Sequence, residues 1–167
     1  MSEKILVVSD SHGMNTNLKR ALKHFGRRGK DLAMMIHLGD MGGTRREIEG
    51  MVDCPLEMVK GNGDFDAGLS FSKLIKIWDE TALITHGHRY NCKYSTQAMA
   101  DMAKENGASM VFFGHTHEPL VDTAGDIKLL NPGSITLPRQ AGFRPTYMVV
   151  TREDDGSKEF VVVEMDR

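Results

Sequence analysis

Cysteine is scarce in this chain: only Cys54 and Cys92 occur among 167 residues. That excludes a disulfide framework and a closed cysteine-type zinc site. Two ordinary thiols in a reducing compartment are expected instead, and cytoplasm is the predicted setting. No apolar run approaches the ~20 residues that cross a bilayer, and the run after Lys4 is too short for a secretory leader. An excess of charge of one sign is missing too. Lys and Arg total 21 against 23 Asp and Glu, a net charge of −2, which argues against a dedicated nucleic-acid or anionic-membrane surface. The basic stretch from Lys19 to Lys30 is the local exception. It overlaps a helix-like pattern with Leu18, Ala21, Leu22 and Phe25 on one face, so its charges read as a solvated face. Repeats, low-complexity tracts and linkers are absent, and the length with 40% hydrophobic content suits one domain, 1–167, with a substantial core.

Five short apolar runs are present: Ile5–Val8, Ala33–Ile36, Leu56–Val59, Ala82–Ile84 and Met110–Phe113. Each is bounded sharply enough to read as a buried strand. Spacings of three and four predict helices over Asn15–Arg28, stopped by Gly29, over Arg45–Met51, and over Tyr94–Glu105, closed by Asn106-Gly107. Strand–helix alternation implies parallel sheet with crossover helices. The C-terminal third changes character. Pro119–Asp122, Ile127–Leu130, Tyr147–Thr151 and Phe160–Glu164 read as antiparallel strands between Ala124-Gly125-Asp126 and Asp154-Asp155-Gly156 turns, and the segment Phe71–Trp78 is strand-like as well. The expected fold class is α/β: two packed sheets, a β-sandwich, with helices on the outside.

Directly after the five runs come Asp10-Ser11-His12, Gly39-Asp40, Gly61-Asn62, His86-Gly87-His88 and Gly114-His115-Thr116-His117. In open α/β sheets, sites form beyond the carboxyl ends of strands. The donors here are carboxylate, imidazole and amide, a set that suits a pair of divalent metals better than a structural zinc site. Residues two apart in extended backbone project to one side, so Asp10 with His12, and His115 with His117, are expected to reach a metal together. Gly39 and Gly114 are expected to let the chain turn tightly before its ligands. Each fragment alone has an ordinary reading: Asp-x-His arises by chance, and Gly-Asn-Gly-Asp is a favoured turn. Five in order, each after a strand, do not share that reading. His24 is expected to be solvated, His37 to be packed within the second strand, and His88 to lie either at the site or merely in its loop.

These blocks resemble the calcineurin-like metallophosphoesterase superfamily, and within it the small single-domain phosphodiesterases of bacteria and archaea. The resemblance runs from Ile5 to Tyr147 and includes Asn131-Pro132-Gly133-Ser134. It implies a β-sandwich flanked by helices that holds two divalent ions. One is bound by Asp10, His12 and His117, the other by Asn62, His86 and His115, and Asp40 bridges both. Mn2+ is the expected ion, with Ni2+, Zn2+ or Fe2+ as alternatives. The implied reaction is hydrolysis of a small phosphoester, most simply a phosphodiester, by in-line attack of a metal-bridging hydroxide. Asp40 and Asn62 are its expected catalytic residues. Many relatives carry a histidine after the block-three asparagine, where this chain has Gly63, so His88 or Asp64 is the expected substitute proton donor. Arg139 and Arg144 are candidates to reach a substrate phosphate. Rival readings are a phosphomonoesterase or nuclease of the same superfamily, and a non-catalytic scaffold like the retromer subunit of this fold, which lacks the full histidine set. A homo-oligomer stays open.

Overall fold

A computed structural model describes residues 2–166. Its ten strands are β1 (Glu3–Val8), β2 (Met34–His37), β3 (Leu56–Met58), β4 (Ser72–Ile77), β5 (Glu80–Thr85), β6 (Met110–Phe112), β7 (Pro119–Asp122), β8 (Lys128–Pro132), β9 (Thr146–Arg152) and β10 (Lys158–Glu164). The helices are α1 (Thr16–Leu22), α2 (Arg45–Met51) and α3 (Gln97–Glu105). One sheet runs β10-β9-β1-β2-β3 and the other β4-β5-β6-β8-β7. The centre of each is parallel, β1 with β2 and β3 in the first, β5 with β6 and β8 in the second. Antiparallel β9 and β10 complete one side of the first sheet, whose other edge is the parallel β3, and antiparallel β4 and β7 form both edges of the second. The expected two-sheet α/β sandwich is what forms.

Alternation along the strands produces this layering. Ile5, Val7, Ile36, Leu38 and Val59 of the first sheet face Ile75, Ile77, Ala82, Ile84, Met110, Phe112 and Leu130 of the second. The opposite faces of the same strands, Leu6, Val8, Met35 and Met58, pack on Leu18, Ala21 and Leu22 of α1 and Ile48 of α2. Leu83, Val111, Phe113 and Leu129 turn outward to Met99 and Ala103 of α3. The central strands are thus apolar on both faces, which is why they read as continuous runs. Each fully buried Ile, Leu or Phe contributes ~1.5–3 kcal/mol, and these contacts pin the sheet ends that carry the site.

Three expectations need correction. The Asn15–Arg28 helix stops at Leu22. Phe25 still packs on the same core, but Gly26 adopts φ 82° and a separate 3-10 turn covers Arg27–Gly29. The Tyr94–Glu105 helix starts at Gln97, because Asn91 is left-handed and the Ser95 hydroxyl takes the Gln97 N–H. The C-terminal third is not purely antiparallel, since β8 joins β6 in parallel.

Both cysteines are free thiols, and among the described residues no helix is long and apolar enough to cross a membrane.

Candidate metal centre

All five sequence fragments fall in loops at the carboxyl ends of parallel strands: β1, β2 and β3 from one sheet, β5 and β6 from the other. They do not use extended backbone to present their donors. Asp10, His12, Asp40, His115 and His117 have φ of 55°, 49°, 59°, 70° and 60°. Left-handed backbone is uncommon outside glycine, and its concentration at one place marks strain held by the surrounding fold for function. The expectation that alternation along an extended chain would pair Asp10 with His12 and His115 with His117 is therefore corrected. The chain curls sharply at each ligand, so donors two apart turn inward together. Glycine makes room for these curls. A Cβ at Gly114 would sit 2.0 Å from the Ser9 hydroxyl and 2.8 Å from Asp10 Oδ2, and Gly39, at φ 103°, passes so close to Gly61 that a Cβ would meet its nitrogen at 2.6 Å.

The donors converge on Asp10, which is fully buried. Its Oδ1 lies 3.3 Å from His117 Nε2, 3.7 Å from His12 Nε2 and 3.7 Å from His86 Nε2. Asp40 Oδ2 lies 3.4 Å from His86 Nε2 and 3.8 Å from His12 Nε2. His12 and His117 approach Nε2 to Nε2 at 3.2 Å, and His115 Nδ1 is 3.2 Å from His86 Nε2. Two triads are close enough to hold an ion: Asp10, His12 and His117, and Asp10, Asp40 and His86.

Backbone carbonyls set the histidine tautomers. Leu38 O accepts from His86 Nδ1 at 2.7 Å and Leu137 O from His117 Nδ1 at 2.6 Å. A carbonyl only accepts, so each neutral ring carries its proton on Nδ1 and aims the Nε2 lone pair at the centre, the arrangement metal-binding histidines use. Asp10 Oδ2 accepts from the Ser9 hydroxyl at 2.6 Å and from the His115 N–H at 3.0 Å. Oδ1 has no hydrogen-bond partner although it is buried. An orphaned carboxylate oxygen surrounded by imidazole lone pairs is unfavourable unless a cation sits among them. Donors that share one ion at ~2.0–2.2 Å, at angles of about 90–120°, lie roughly 3.0–3.8 Å from each other, so the spacing fits a divalent metal.

The charge balance tells the same story. Burial raises the Asp10 carboxyl, but the adjoining His117 and His12 rings, the charge of His86 and the Ser9 hydroxyl outweigh it and hold the group far below the ordinary carboxylate range. Asp40 is also lowered: burial opposes, His86 and the Gly63 N–H prevail. The neighbouring Asp10 carboxylate raises His12, and although burial depresses His86, Asp40 and Asp10 raise it overall. His115, half-buried and beside His86, falls to about 4. The two carboxylates thus draw positive charge into the centre, as protons on histidine where no ion supplies it.

Other residues hold the loops. Asp64, expected as a proton donor, instead takes the N–H groups of Asp40 at 2.7 Å, Met41 at 2.9 Å and Gly61 at 2.9 Å, and so clamps the β2 loop to the β3 loop. Asn131 donates to Gly114 O and Thr116 Oγ1, and Ser134 Oγ donates to Asp10 O. His37 is packed as expected: Gly39 N–H donates to its Nδ1, so Nε2 carries the proton and donates to Ser11 Oγ at 2.9 Å. Sequence pattern carries no mark of the Leu38 and Leu137 carbonyls. The Asp64 clamp could have been suspected from Gly-Asn-Gly-Asp, a turn whose aspartate favours backbone partners.

Asn62 is exposed at the rim, between Gly61, which packs on the Asp40 carboxylate, and Gly63, whose N–H donates to Asp40 Oδ1 at 2.8 Å. The His88 ring stands 5.3 Å from that of His86 and 6.0 Å from that of His115, centroid to centroid. It therefore belongs to the site's wall, and its Nδ1 is buried without a partner. Burial, then the charge of His86, lowers its pKa. Arg139 is exposed and its N–H donates to His117 O, whereas the Arg144 guanidinium pairs with Asp166 at 3.4 Å. His24 is exposed. A separate cleft of about 600 Å3 is lined by Lys19, Leu22, Lys23, Gly26, Arg27, Arg28 and Met51. It lies where α1 and α2 lead back to the amino ends of the strands and contains no metal-type donors.

Asp and His donors gathered at the strand ends of a two-sheet α/β sandwich define a metallophosphoesterase-type centre. The calcineurin-like phosphoesterase superfamily domain matches residues 4–155, and the chain belongs to that family. It is 32% identical over 153 residues to the probable metallophosphoesterase YsnB of Bacillus subtilis, covering 92% of this chain and 86% of that one. It is 26% identical over 158 residues to the phosphodiesterase YfcE of Escherichia coli K12, covering 81% of each. Among solved structures it superimposes on a predicted phosphoesterase from Streptococcus pneumoniae TIGR4 with a TM-score of 0.81, 28% identity and coverage of 98% and 90%. Zinc-complexed Vps29 from Entamoeba histolytica shares the fold, with a TM-score of 0.73, 22% identity and coverage of 98% and 99%.

Proposed function

We propose that the protein is a metal-dependent phosphodiesterase of small substrates with a dinuclear centre, Mn2+ being the expected ion and Ni2+, Zn2+ or Fe2+ the alternatives. The observation that carries this reading is the orphaned Asp10 Oδ1 facing the Nε2 atoms of His12, His86 and His117. Asp10, His12 and His117 would hold one ion, and Asn62, His86 and His115 the other, with Asp40 between them; Asp10, which also forms a triad with Asp40 and His86, would support both. Divalent ions there supply Lewis acidity that makes water nucleophilic near neutral pH and offsets charge growing on the phosphoryl oxygens. The protein's own part is to fix the donors through the Leu38 and Leu137 carbonyls and the Asp64 clamp, and to present Asn62 toward the bound phosphoryl group. His88, with its depressed pKa, stands neutral at pH 7 and so takes up a proton before it can give one. With Gly63 beside Asp40 there is no second imidazole for that task.

The same fold serves Vps29, and a scaffold is the rival reading. The complete set of histidine donors, oriented and strained into place, favours the enzyme. A cytoplasmic setting fits the free thiols, and a homo-oligomer is compatible with exposed Leu120 and Val121 on the edge strand β7. The test is hydrolysis of aryl phosphodiesters of graded leaving-group pKa, with each metal in turn. Turnover that appears with metal, disappears on chelation and depends steeply on leaving-group pKa is expected. Absence of metal-dependent turnover across all four ions refutes the proposal, and a flat dependence assigns the proton to another residue, His88 first.

A further inference from the structure

Two cations beside the centre are used by nothing described so far. Lys60 Nζ lies 4.5 Å and the Arg89 guanidinium carbon 4.3 Å from the centroid of the Phe71 ring. Among the described residues neither pairs with a carboxylate, whereas Lys73 on the adjoining strand β4 pairs with Glu57. Phe71 in turn touches the site, its ring 5.5 Å from that of His88, which stands 5.3 Å from His86. The placement is built into the ligand loops. Lys60 directly precedes Gly61-Asn62, Arg89 directly follows His88, and the Lys60 N–H is tied to Ser70 O at 2.8 Å. A cleft of about 570 Å3 lined by Ser70, Phe71, Ser72, Arg89 and Tyr90 opens there.

A guanidinium and an ammonium braced on one aromatic ring form a preorganised grip for phosphate: arginine offers a planar fork of donors and lysine a mobile point charge, and the ring limits the conformational freedom lost on binding. The scissile phosphoryl group belongs at the Asp/His centre, which leaves these cations for a second anion. We propose that Lys60, Arg89 and Phe71 form a subsite for a second phosphate, so that the substrate is a phosphodiester carrying a further phosphate on one arm. This rests on the phosphodiesterase reading above.

The experiment compares two dinucleotides that differ only by a 5′-terminal phosphate, ApA and pApA, with Mn2+-loaded protein. The phosphorylated dinucleotide should have a kcat/KM at least tenfold higher, mainly through KM, and Lys60→Ala/Arg89→Ala should bring the ratio toward one. Equal kcat/KM for the two in the wild type overturns the inference and leaves the phosphodiesterase reading standing. Failure to cleave either of these or any activated diester is the failure of that reading. A titration that needs no turnover covers this case: in chelator, adenosine 5′-monophosphate should bind the wild type at least tenfold more tightly than adenosine, through its one phosphate on Lys60 and Arg89. Indistinguishable affinities overturn the inference. The single variants Lys60→Met and Arg89→Met, checked by circular dichroism, replace the double variant if it loses its fold, and each should narrow the same ratios.

Discussion

Replacing Asp10 by asparagine separates what the carboxylate does for the fold from what it does for the ion. Oδ2 already has two donors, the Ser9 hydroxyl and the His115 N–H, while Oδ1 has none and faces His117 Nε2 at 3.3 Å. An asparagine of the same shape keeps the amide oxygen in the Oδ2 position and puts an N–H where Oδ1 was, aimed at an imidazole lone pair. The metal-free variant, compared at a pH where the histidines are neutral, should therefore stay within about 1 kcal/mol of the wild type, since an orphaned acceptor becomes a satisfied donor. Metal binding should suffer. Removing one member of a buried charge pair costs roughly 3–5 kcal/mol, about 10²–10⁴-fold in Kd. At a free metal concentration of about 100 Kd the wild type gains ~2.7 kcal/mol, and the variant, with Kd raised at least ~100-fold, gains at most ~0.4 kcal/mol. For a chain of this size that is a metal-induced rise in Tm of about 5–11 °C against under about 2 °C. Differential scanning fluorimetry with and without metal reads both numbers. Metal analysis alongside should find Asp10→Asn depleted of both ions, because Asp10 lies in both candidate triads, whereas His117→Ala, in one triad only, keeps one. A variant that retains the full metal-induced rise, or that loses more than about 3 kcal/mol when metal-free, would falsify the reasoning.

Asp64→Ala strands the N–H groups of Asp40, Met41 and Gly61. At roughly 1–3 kcal/mol for each buried orphan, urea denaturation should show a loss of at least about 3 kcal/mol, and a loss under about 1 kcal/mol contradicts the clamp. His37 is fully buried, and burial pushes its pKa down to about 4 from the ordinary 6.5. The unfolded chain therefore binds more protons in this window, so the stabilisation is complete above pH 6.5 and disappears as pH falls toward 4, by about 3 kcal/mol. Stability of metal-free His37→Gln measured across that range should lack this slope, and parallel curves for variant and wild type would rule the assignment out.

Strand positions and the five ligand blocks were legible in the sequence because each depends on local chemistry. A strand buried on both faces needs an unbroken apolar run, as in Ile5–Val8, and a polar residue directly after it emerges at the sheet end. The helix ends were less legible. Nothing in the spacing of Leu18, Ala21 and Leu22 announces that the chain turns away at Gly26, since that turn answers to packing on β2 and β3. Tertiary structure alone decided how the centre works. His12 and His117, 105 residues apart in sequence, meet at 3.2 Å only because two sheets face each other and deliver their loops to one place. That packing also supports the left-handed backbone at five of the ligands, which isolated loops would not sustain. It also turned Asp64 from a candidate donor into a clamp, and brought Lys60 and Arg89 onto Phe71. Side-chain identity determines which atoms can bind a metal or a phosphate. Where those atoms point is set by hydrogen bonds to distant backbone carbonyls and by closure of a shared core, and neither leaves a pattern in the order of the residues.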